Sequence, residues 1–191
     1  MCEMTSVDEW IKNESESVLR EVGIKSGQTI LDFGCGSGVY TFIASKIVGR
    51  EGKIYALDSD EEGLLKDLNN KIIEENLENI EIIKTSGEIN IPLKEESVDI
   101  VLVFDVFHLL DQGERKKLIK EARRVLKKGG FLSYHATHIG GGYNINLEEI
   151  HSRMEKNNLI LKEKFEKPMF HWAWIEDSQI FNYCKITRSS M

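Results

Sequence analysis

The stretch Ile30-Leu31-Asp32-Phe33-Gly34-Cys35-Gly36-Ser37-Gly38 decides the predicted fold of this chain. Its apolar first half predicts a short buried strand. Its three alternate glycines predict a tight turn, because a backbone without Cβ atoms lets a ligand approach closely. Residues 39–48 then carry apolar side chains at helical spacing. We therefore predict a strand, a glycine-rich turn and a helix whose free backbone N–H groups face the turn.

The charge beside the turn indicates what kind of ligand it holds. A dinucleotide site usually reads G-x-G-x-x-G and binds a pyrophosphate at the helix N-terminus. Here the third glycine comes one residue early, and Val39 stands in its place. Asp32 lies two residues before the first glycine, where a carboxylate suits an ammonium or a sulfonium better than a pyrophosphate. A structural turn without any ligand is the alternative.

The composition is that of a globular protein. The 191 residues are 41% hydrophobic and 30% charged, which predicts one domain with a sizeable core. The net charge of -7 argues against binding to duplex nucleic acid, which normally requires a basic face. The three cysteines, Cys2, Cys35 and Cys184, are widely separated, which argues against a disulfide or zinc framework and favours the cytoplasm. Neither a signal peptide nor a membrane span is expected.

Strands and helices alternate along the chain up to residue 136. The predicted strands cover about 28–33, 53–57, 80–84, 98–104 and 131–136, and the predicted helices about 5–22, 39–48, 60–76 and 112–127. Thr5 or Ser6 is the predicted cap of the first helix, and Gly129-Gly130 the predicted stop of the last. The alternation predicts an α/β, Rossmann-like, doubly wound and mostly parallel sheet.

The rest of the chain predicts an antiparallel edge pair at the C-terminus. A helix over 146–157 precedes strands over 159–165 and 179–186, which a non-helical aromatic link at 168–177 joins. The sheet then has seven strands in one domain, residues 1–191. Its predicted parts are an N-terminal helix within 1–24, a cofactor-binding core over 25–137 and a substrate side over 138–191. Trp10 belongs either to a lid over the site or to the core.

Four separate pieces of sequence meet at the carboxyl ends of the predicted strands, where such sheets bind ligands. They are the glycine turn, Asp58, Gly87-Glu88 and residues 104–108. Asp58 follows the second strand, twenty residues after Gly38. An acid at this position reaches ribose hydroxyls in related βαβ units. Capping of the next helix is the alternative role for Asp58, and the two roles are compatible.

Residues 25–137 resemble class I S-adenosylmethionine-dependent methyltransferases, in particular the ubiquinone/menaquinone-biosynthesis-like group (methyltransferase types 11 and 25). The glycine stretch resembles the first motif of this family, and Gly87-Glu88-Ile89 resembles its Gly-Asp-Ala. Val106-Phe107-His108-Leu109-Leu110 resembles the Val-Leu-His-His-Leu run of its small-molecule enzymes. The chain departs from the family pattern in having Glu88 for the usual Asp and Leu109 for the second His.

The resemblance implies S-adenosyl-L-methionine as the cofactor, whose sulfonium and ammonium match the acid beside the turn. It implies a cofactor site formed by Asp32, Gly34, Cys35, Gly36, Gly38, Asp58, Ser59, Gly87, Glu88, Phe104 and Asp105. Core packing is the alternative role for Phe104. Cys35 is expected to fill the turn rather than to act as a nucleophile.

His108 is the predicted catalytic residue, because it lies at the rim in the family's histidine-containing run. It would act as a base or position the acceptor, and packing within the structure is its alternative role. His135, His138 and His171 are weaker candidates, and sequence spacing alone indicates no metal site among them.

Aromatic residues near the C-terminus either line an acceptor pocket or cover the sheet edge. They are Phe170, Trp172 and Trp174, with Tyr143 upstream. An aromatic pocket favours a small, partly apolar acceptor. Three functions stay open: a small-molecule methyltransferase, a methyltransferase acting on protein or RNA, and a non-catalytic S-adenosylmethionine-binding module. We expect a monomer or a homodimer.

Overall fold

The computed structural model describes residues 6–60, 63–143 and 145–186. Its strands are β1 (Thr29–Phe33), β2 (Lys53–Asp58), β3 (Ile80–Lys84), β4 (Val98–Phe104), β5 (Leu126–Ala136), β6 (Leu159–His171) and β7 (Trp174–Lys185). Its helices are α1 (Val7–Asn13), α2 (Ser15–Val22), α3 (Val39–Val48), α4 (Leu65–Glu74), α5 (Gln112–Val125) and α6 (Leu147–Lys156). Short 3₁₀ turns occur at Phe107–Leu109 and Gly141–Tyr143.

The seven strands form one sheet in the order β3-β2-β1-β4-β5-β7-β6. Strands β1 to β5 pair in parallel, whereas β7 pairs antiparallel with both β5 and β6. The predicted α/β sheet with an antiparallel C-terminal edge pair is therefore confirmed. Strands β1, β2 and β3 follow one another toward one edge of the sheet, whereas β4 and β5 lie on the other side of β1. The strand order therefore reverses between β1 and β4, and the carboxyl ends of these two strands border the crevice in which such folds bind ligands.

Both faces of the sheet are covered by helices. On one face, side chains such as Leu118 of α5 and Met154 of α6 pack against the sheet. On the other, Leu19 of α2 and Ile43 of α3 do so. The central strand β4 is buried on both faces, which explains its continuous apolar sequence. None of the described helices has the length and apolar character that crossing a lipid bilayer requires.

The N-terminal segment is two helices rather than the single predicted one. Glu14 separates α1 from α2 with φ −123°, and the Ser15 hydroxyl donates back to the Ile11 carbonyl oxygen at 2.7 Å, a bond that bends helices. Ser6 caps α1 through a reciprocal pair of bonds with Glu9. The other predicted cap, Thr5, lies outside the described residues.

Trp10 belongs to the core and not to an open lid. Its side chain is fully buried and meets the ring of Tyr40 edge-on, with 6.3 Å between centroids. Gly23 ends α2 in the left-handed conformation, with φ +115°. The N-terminal helices therefore anchor α3, the helix that follows the glycine turn.

The predicted helix over 60–76 is shorter in the structure. It begins at Leu65, whose N–H donates to the Asp60 side chain at 2.9 Å. Asp60 itself has φ +58°, which is incompatible with a helix. The N-cap residue is Leu64, whose side chain makes no cap bond. Asp58 accepts the N–H of Asp60, which precedes the helix, so the capping role considered for Asp58 is wrong.

The prediction that Gly129-Gly130 stops α5 is wrong, since both glycines lie inside β5. The helix ends at Val125 and the strand begins at the next residue. A Cβ on Gly130 would stand 2.6 Å from the Asp99 carbonyl oxygen. This glycine therefore lets β5 approach β4 where the register between them shifts.

The aromatic segment is part of a long hairpin and not the predicted non-helical link. Strand β6 continues to His171, and β7 begins at Trp174 after a tight turn in which Trp172 has φ +53°. Pro168 pairs with Asp177 within this ladder. A proline is tolerated there because β6 is the edge strand of the sheet. The hairpin carries its aromatic tip to the carboxyl end of β5.

Candidate functional site

The glycine turn connects β1 to α3 at the predicted place. Gly34, Gly36 and Gly38 all have positive φ angles, +74°, +51° and +79°. A Cβ on Gly34 would stand 2.3 Å from Val106, and one on Gly38 would stand 2.4 Å from Leu68. These two glycines therefore let the turn pack closely against the protein's own chain. At Gly36 the nearest neighbour would be 3.6 Å away, so the positive φ is what favours glycine there.

Asp58 binds the backbone of the glycine turn. Its Oδ2 accepts the N–H of Gly36 at 2.9 Å, and its Oδ1 accepts the N–H of Asp60 at 2.6 Å. The side chain is half-buried at the end of β2, and Ser59, which follows it, is also half-buried. The structure thus brings the predicted ribose-binding acid directly beside the turn.

Asp32 is buried beneath the turn. The Thr41 hydroxyl donates to its Oδ2 at 2.5 Å, which links β1 to α3. Burial raises the pKa of this carboxyl to about 6, and the Thr41 bond only partly offsets that effect. A cation nearby would favour the charged carboxylate. The position therefore suits a ligand with positive charge.

Two other predicted cofactor residues lie at the same rim. Gly87 follows β3 with φ +87°, and its N–H is 3.5 Å from the Thr85 hydroxyl oxygen. Glu88, next to it, is exposed. In the turn itself, burial raises the pKa of the Cys35 thiol above its ordinary value, which keeps this side chain protonated and fits a role in packing.

Phe104 points into the core at the end of β4. Its ring is 4% exposed and meets Tyr40 and His135 edge-on, with centroids 4.9 and 5.9 Å away. The packing role considered for Phe104 is thus the one its side chain has. Burial also lowers the pKa of His135 to about 4, so this ring stays neutral inside the core.

Asp105 has a conformation that the sequence did not indicate. Its φ of +58° is unusual for a residue with a side chain. Its Oδ1 accepts the Thr137 hydroxyl at 2.9 Å and lies 3.6 Å from Nδ1 of His108. Its Oδ2 lies 2.9 Å from Nδ1 of His171, although the ring is not aligned for a hydrogen bond. The predicted cofactor residue Asp105 is therefore surrounded by histidines.

We define Asp105, His108, His138 and His171 as the histidine cluster. The rings of His108 and His138 have centroids 4.1 Å apart, and those of His138 and His171 are 4.9 Å apart. Burial lowers the pKa of His108 to about 4, against the opposing effect of Asp105. His108 is therefore neutral, and a weak base, near pH 7. The cluster joins residues that follow β4 and β5 to the last residue of β6.

Aromatic rings surround the histidine cluster on its exposed side. Tyr143 lies 4.3 Å and Trp172 5.0 Å from the His138 ring, and Trp174 lies 5.1 Å from His171, between centroids. These three aromatic side chains are 42%, 52% and 38% exposed. Phe170 instead packs against Tyr40, whose hydroxyl donates to its carbonyl oxygen at 2.7 Å. Of these four aromatic residues, Phe170 therefore packs against the core and the other three surround the cluster.

The sequence indicated His108 as the catalytic candidate and His138 and His171 as weaker candidates, but it did not predict that their rings meet. The available signal was their position: His108 follows β4, His138 follows β5, and His171 ends β6. Thr137 was missed as well. Residues 168–177 were predicted as a link beside the acceptor pocket or the sheet edge. They were not predicted as the long hairpin that brings His171 to the rim, because they did not resemble a strand.

Comparisons with known proteins identify the family to which the chain belongs. The sequence profile of the family described as "Methyltransferase domain" matches residues 30–130. A demethylmenaquinone methyltransferase of Geobacillus stearothermophilus is 31% identical over 115 residues, which are 60% of this chain and 47% of that protein. An arsenite methyltransferase of Halobacterium salinarum is 33% identical over 105 residues, 54% of this chain and 26% of that protein.

One solved structure matches almost the whole fold. It is described as a SAM-dependent methyltransferase from Aquifex aeolicus, and it has 26% sequence identity and a TM-score of 0.75. The match covers 95% of this chain and 95% of that one. By contrast, this chain spans less than half the length of the curated relatives described above.

Proposed function

Because the chain belongs to the methyltransferase domain family, we propose that it transfers a methyl group from S-adenosylmethionine to a small-molecule acceptor. One observation carries this proposal: the glycine turn packs against Val106, which lies between Asp105 and His108. The glycine turn, proposed to bind the cofactor, is therefore in direct contact with the segment that carries the histidine cluster, proposed to bind the acceptor. A methyl group held at the turn and an acceptor held at the cluster would be neighbours.

The residues of the rim fit S-adenosylmethionine. This cofactor supplies an electrophilic methyl group on a positively charged sulfur. The Asp58 carboxylate retains acceptor capacity for ribose hydroxyls, since each oxygen receives one described bond. The buried Asp32 suits the charge of the amino-acid part. We assign Gly87 and Glu88 to the adenine end, following the family resemblance.

The proposed catalysis rests on positioning the acceptor. The methyl donor carries a positive charge on its sulfur and needs little further activation. Holding the donor and the acceptor in line lowers the activation free energy by up to ~7–11 kcal/mol. We assign His108 to positioning the acceptor, since a ring with a pKa of about 4 is a weak base at neutral pH. Thr137 in turn helps to position His108, because its hydroxyl donates to Asp105 and lies beside Nδ1 of His108.

The proposed acceptor is small and partly apolar. Tyr143, Trp172 and Trp174 present half-exposed rings around the cluster, and such rings favour a flat, apolar molecule. Two of the relatives are named demethylmenaquinone methyltransferases, after a small-molecule acceptor. We propose the same class for this chain without assigning the compound.

A labelled-methyl assay tests the proposed function. The protein is incubated with methyl-labelled S-adenosylmethionine and cell extract, which is then separated into small-molecule, protein and RNA fractions. We expect label in the small-molecule fraction, and much less of it with Asp58→Ala protein at the same cofactor concentration. Label in protein or RNA would contradict the proposed acceptor class. Cofactor binding without any labelled product would indicate a non-catalytic binding module.

A further inference from the structure

The histidine cluster contains a set of donor atoms suited to a metal ion. Asp105, His108 and His138 each offer one ligand atom, and these three atoms lie within 4.8 Å of one another. Two imidazoles and one carboxylate form a ligand set that binds zinc and other divalent transition metals. Magnesium and calcium prefer oxygen ligands alone, so the set discriminates against them.

Unpartnered ring nitrogens provide a second, independent observation. Within the part of the chain that the structure describes, Nε2 of His108 and Nε2 of His138 are buried without a hydrogen-bond partner. The His108 residue is only 6% exposed. A buried polar atom without a partner costs free energy and is rare in native proteins. A metal ion bound through these two nitrogens would supply the partner that each of them lacks.

The surroundings of Asp105 resemble the support that metal ligands usually have. Ligating carboxylates and imidazoles are commonly oriented by hydrogen bonds from outside the coordination shell. Here the Thr137 hydroxyl donates to Oδ1 of Asp105 at 2.9 Å. The His171 ring lies beside the other carboxylate oxygen, with its Nδ1 2.9 Å from Oδ2 of Asp105. The left-handed backbone of Asp105 points its carboxylate toward the histidines at a conformational cost.

We propose that Asp105, His108 and His138 bind one divalent transition-metal cation, with Zn²⁺ as the best-matched ion. Three protein ligands leave at least one coordination position for a small molecule. Tyr143 and Trp172 contact the His108 and His138 rings, so a molecule bound at that position would have aromatic side chains nearby.

The ion deepens the proposed function by naming a substrate class, and this part of the inference rests on that function. An acceptor hydroxyl bound to the cation loses its proton to solvent more readily than a free one. Its oxygen then forms the new O–CH₃ bond while the S–CH₃ bond breaks, and the electron pair of that bond stays on sulfur. The acceptor class is thus a small apolar molecule with a hydroxyl group.

Metal titration of the purified 191-residue chain tests the site directly. The protein is stripped with a chelator, and Zn²⁺ is added in competition with a coloured indicator; Co²⁺ is added separately and its visible absorption recorded. We expect one ion per chain and a Co²⁺ spectrum typical of nitrogen and oxygen ligands. His138→Ala should weaken Zn²⁺ binding by more than about tenfold, while His151→Ala is the matched control.

The control histidine lies outside the cluster, where its Nδ1 is 2.7 Å from the Tyr183 hydroxyl. Circular dichroism checks that both variants fold. If His138→Ala does not fold, the wild-type stoichiometry and Co²⁺ spectrum still decide the question. Absence of a bound ion in wild-type protein would overturn the inference. An equal loss of Zn²⁺ affinity in folded His138→Ala and His151→Ala would do the same. Cofactor binding by the stripped protein is measured separately, so failure of the metal site and failure of the methyltransferase proposal are distinguishable.

Discussion

The backbone of Gly34 lies so close to Val106 that a Cβ on Gly34 would stand 2.3 Å from a Val106 methyl carbon. The turn after β1 and the segment after β4 thus form one packed unit. The relationship explains why a glycine is required at this position even before any ligand binds. It also means that a change in either segment moves both halves of the candidate site.

Gly34→Ala should destabilise the protein more than the same substitution at a glycine that also has a left-handed backbone but has no neighbouring atoms where the Cβ would lie. Gly27 is the matched control, because it has φ +78° and no neighbour within 4 Å of a built Cβ. The left-handed backbone alone costs about 1–2 kcal/mol, and we expect the clash to add about 1–3 kcal/mol at Gly34. Urea unfolding of both variants measures the difference.

The clash is tested further by combining Gly34→Ala with Val106→Ala. Removing the Val106 methyl carbons should recover part of the cost of Gly34→Ala, so the free energies of the two changes should not add. Equal costs for Gly34→Ala and Gly27→Ala, or full additivity with Val106→Ala, would show that the turn is not packed as described.

Asp32 should make the free protein less stable as the pH rises from 4 to 6. Its pKa is about 6 in the folded protein against an ordinary 3.8, so the folded state holds a proton that the unfolded state has already lost. The stability that this proton contributes is present below pH 3.8 and is lost as the pH rises through 6. The full effect corresponds to about 3 kcal/mol.

Asp32→Asn should flatten this part of the pH profile of unfolding free energy. The control is Asp67→Asn, which changes an exposed aspartate on α4 and should leave the profile unchanged. A wild-type profile that rises between pH 4 and 6, with no difference between it and the Asp32→Asn profile, would contradict the burial of this carboxyl.

Tyr40→Phe should loosen the tip of the β6–β7 hairpin. The Tyr40 hydroxyl donates to the Phe170 carbonyl oxygen at 2.7 Å and so links α3 to the strand that carries His171. Loss of the bond should cost about 1–2 kcal/mol and speed amide hydrogen exchange near residues 170–174. Tyr55→Phe, a half-buried tyrosine on β2, is the control, and equal exchange in both variants would refute the link.

Much of the cofactor side of the site was predictable because local sequence determines it. The left-handed turn requires glycines, the strand before it requires apolar residues, and the acid that ends β2 falls at a fixed distance in a βαβ unit. These features depend on short-range sterics and on the alternation of strands and helices. They led from residues 30–38 and Asp58 to one rim of the sheet, where the structure brings these residues together.

The acceptor side was less predictable because tertiary pairing forms it. Pro168 and the aromatic residues after it resembled a link, yet pairing with β7 extends β6 to His171. The orientation of Asp105 depends on a left-handed backbone that no sequence pattern specifies. His108, His138 and His171 are far apart in the chain, and only the sheet order brings them together.

Binding of S-adenosylmethionine to wild-type and Asp58→Ala protein, measured by calorimetry, tests the central claim most directly. Glu74→Ala, an exposed acid on α4, is the charge-matched control, and circular dichroism verifies the fold of each protein. A hydrogen bond to a charged group is worth about 1.5–3 kcal/mol, so Asp58→Ala should weaken binding by about tenfold or more. We predict one cofactor per wild-type chain, normal binding by Glu74→Ala and this loss in Asp58→Ala. Absence of binding to folded wild-type protein, or unchanged affinity in Asp58→Ala, would contradict the account.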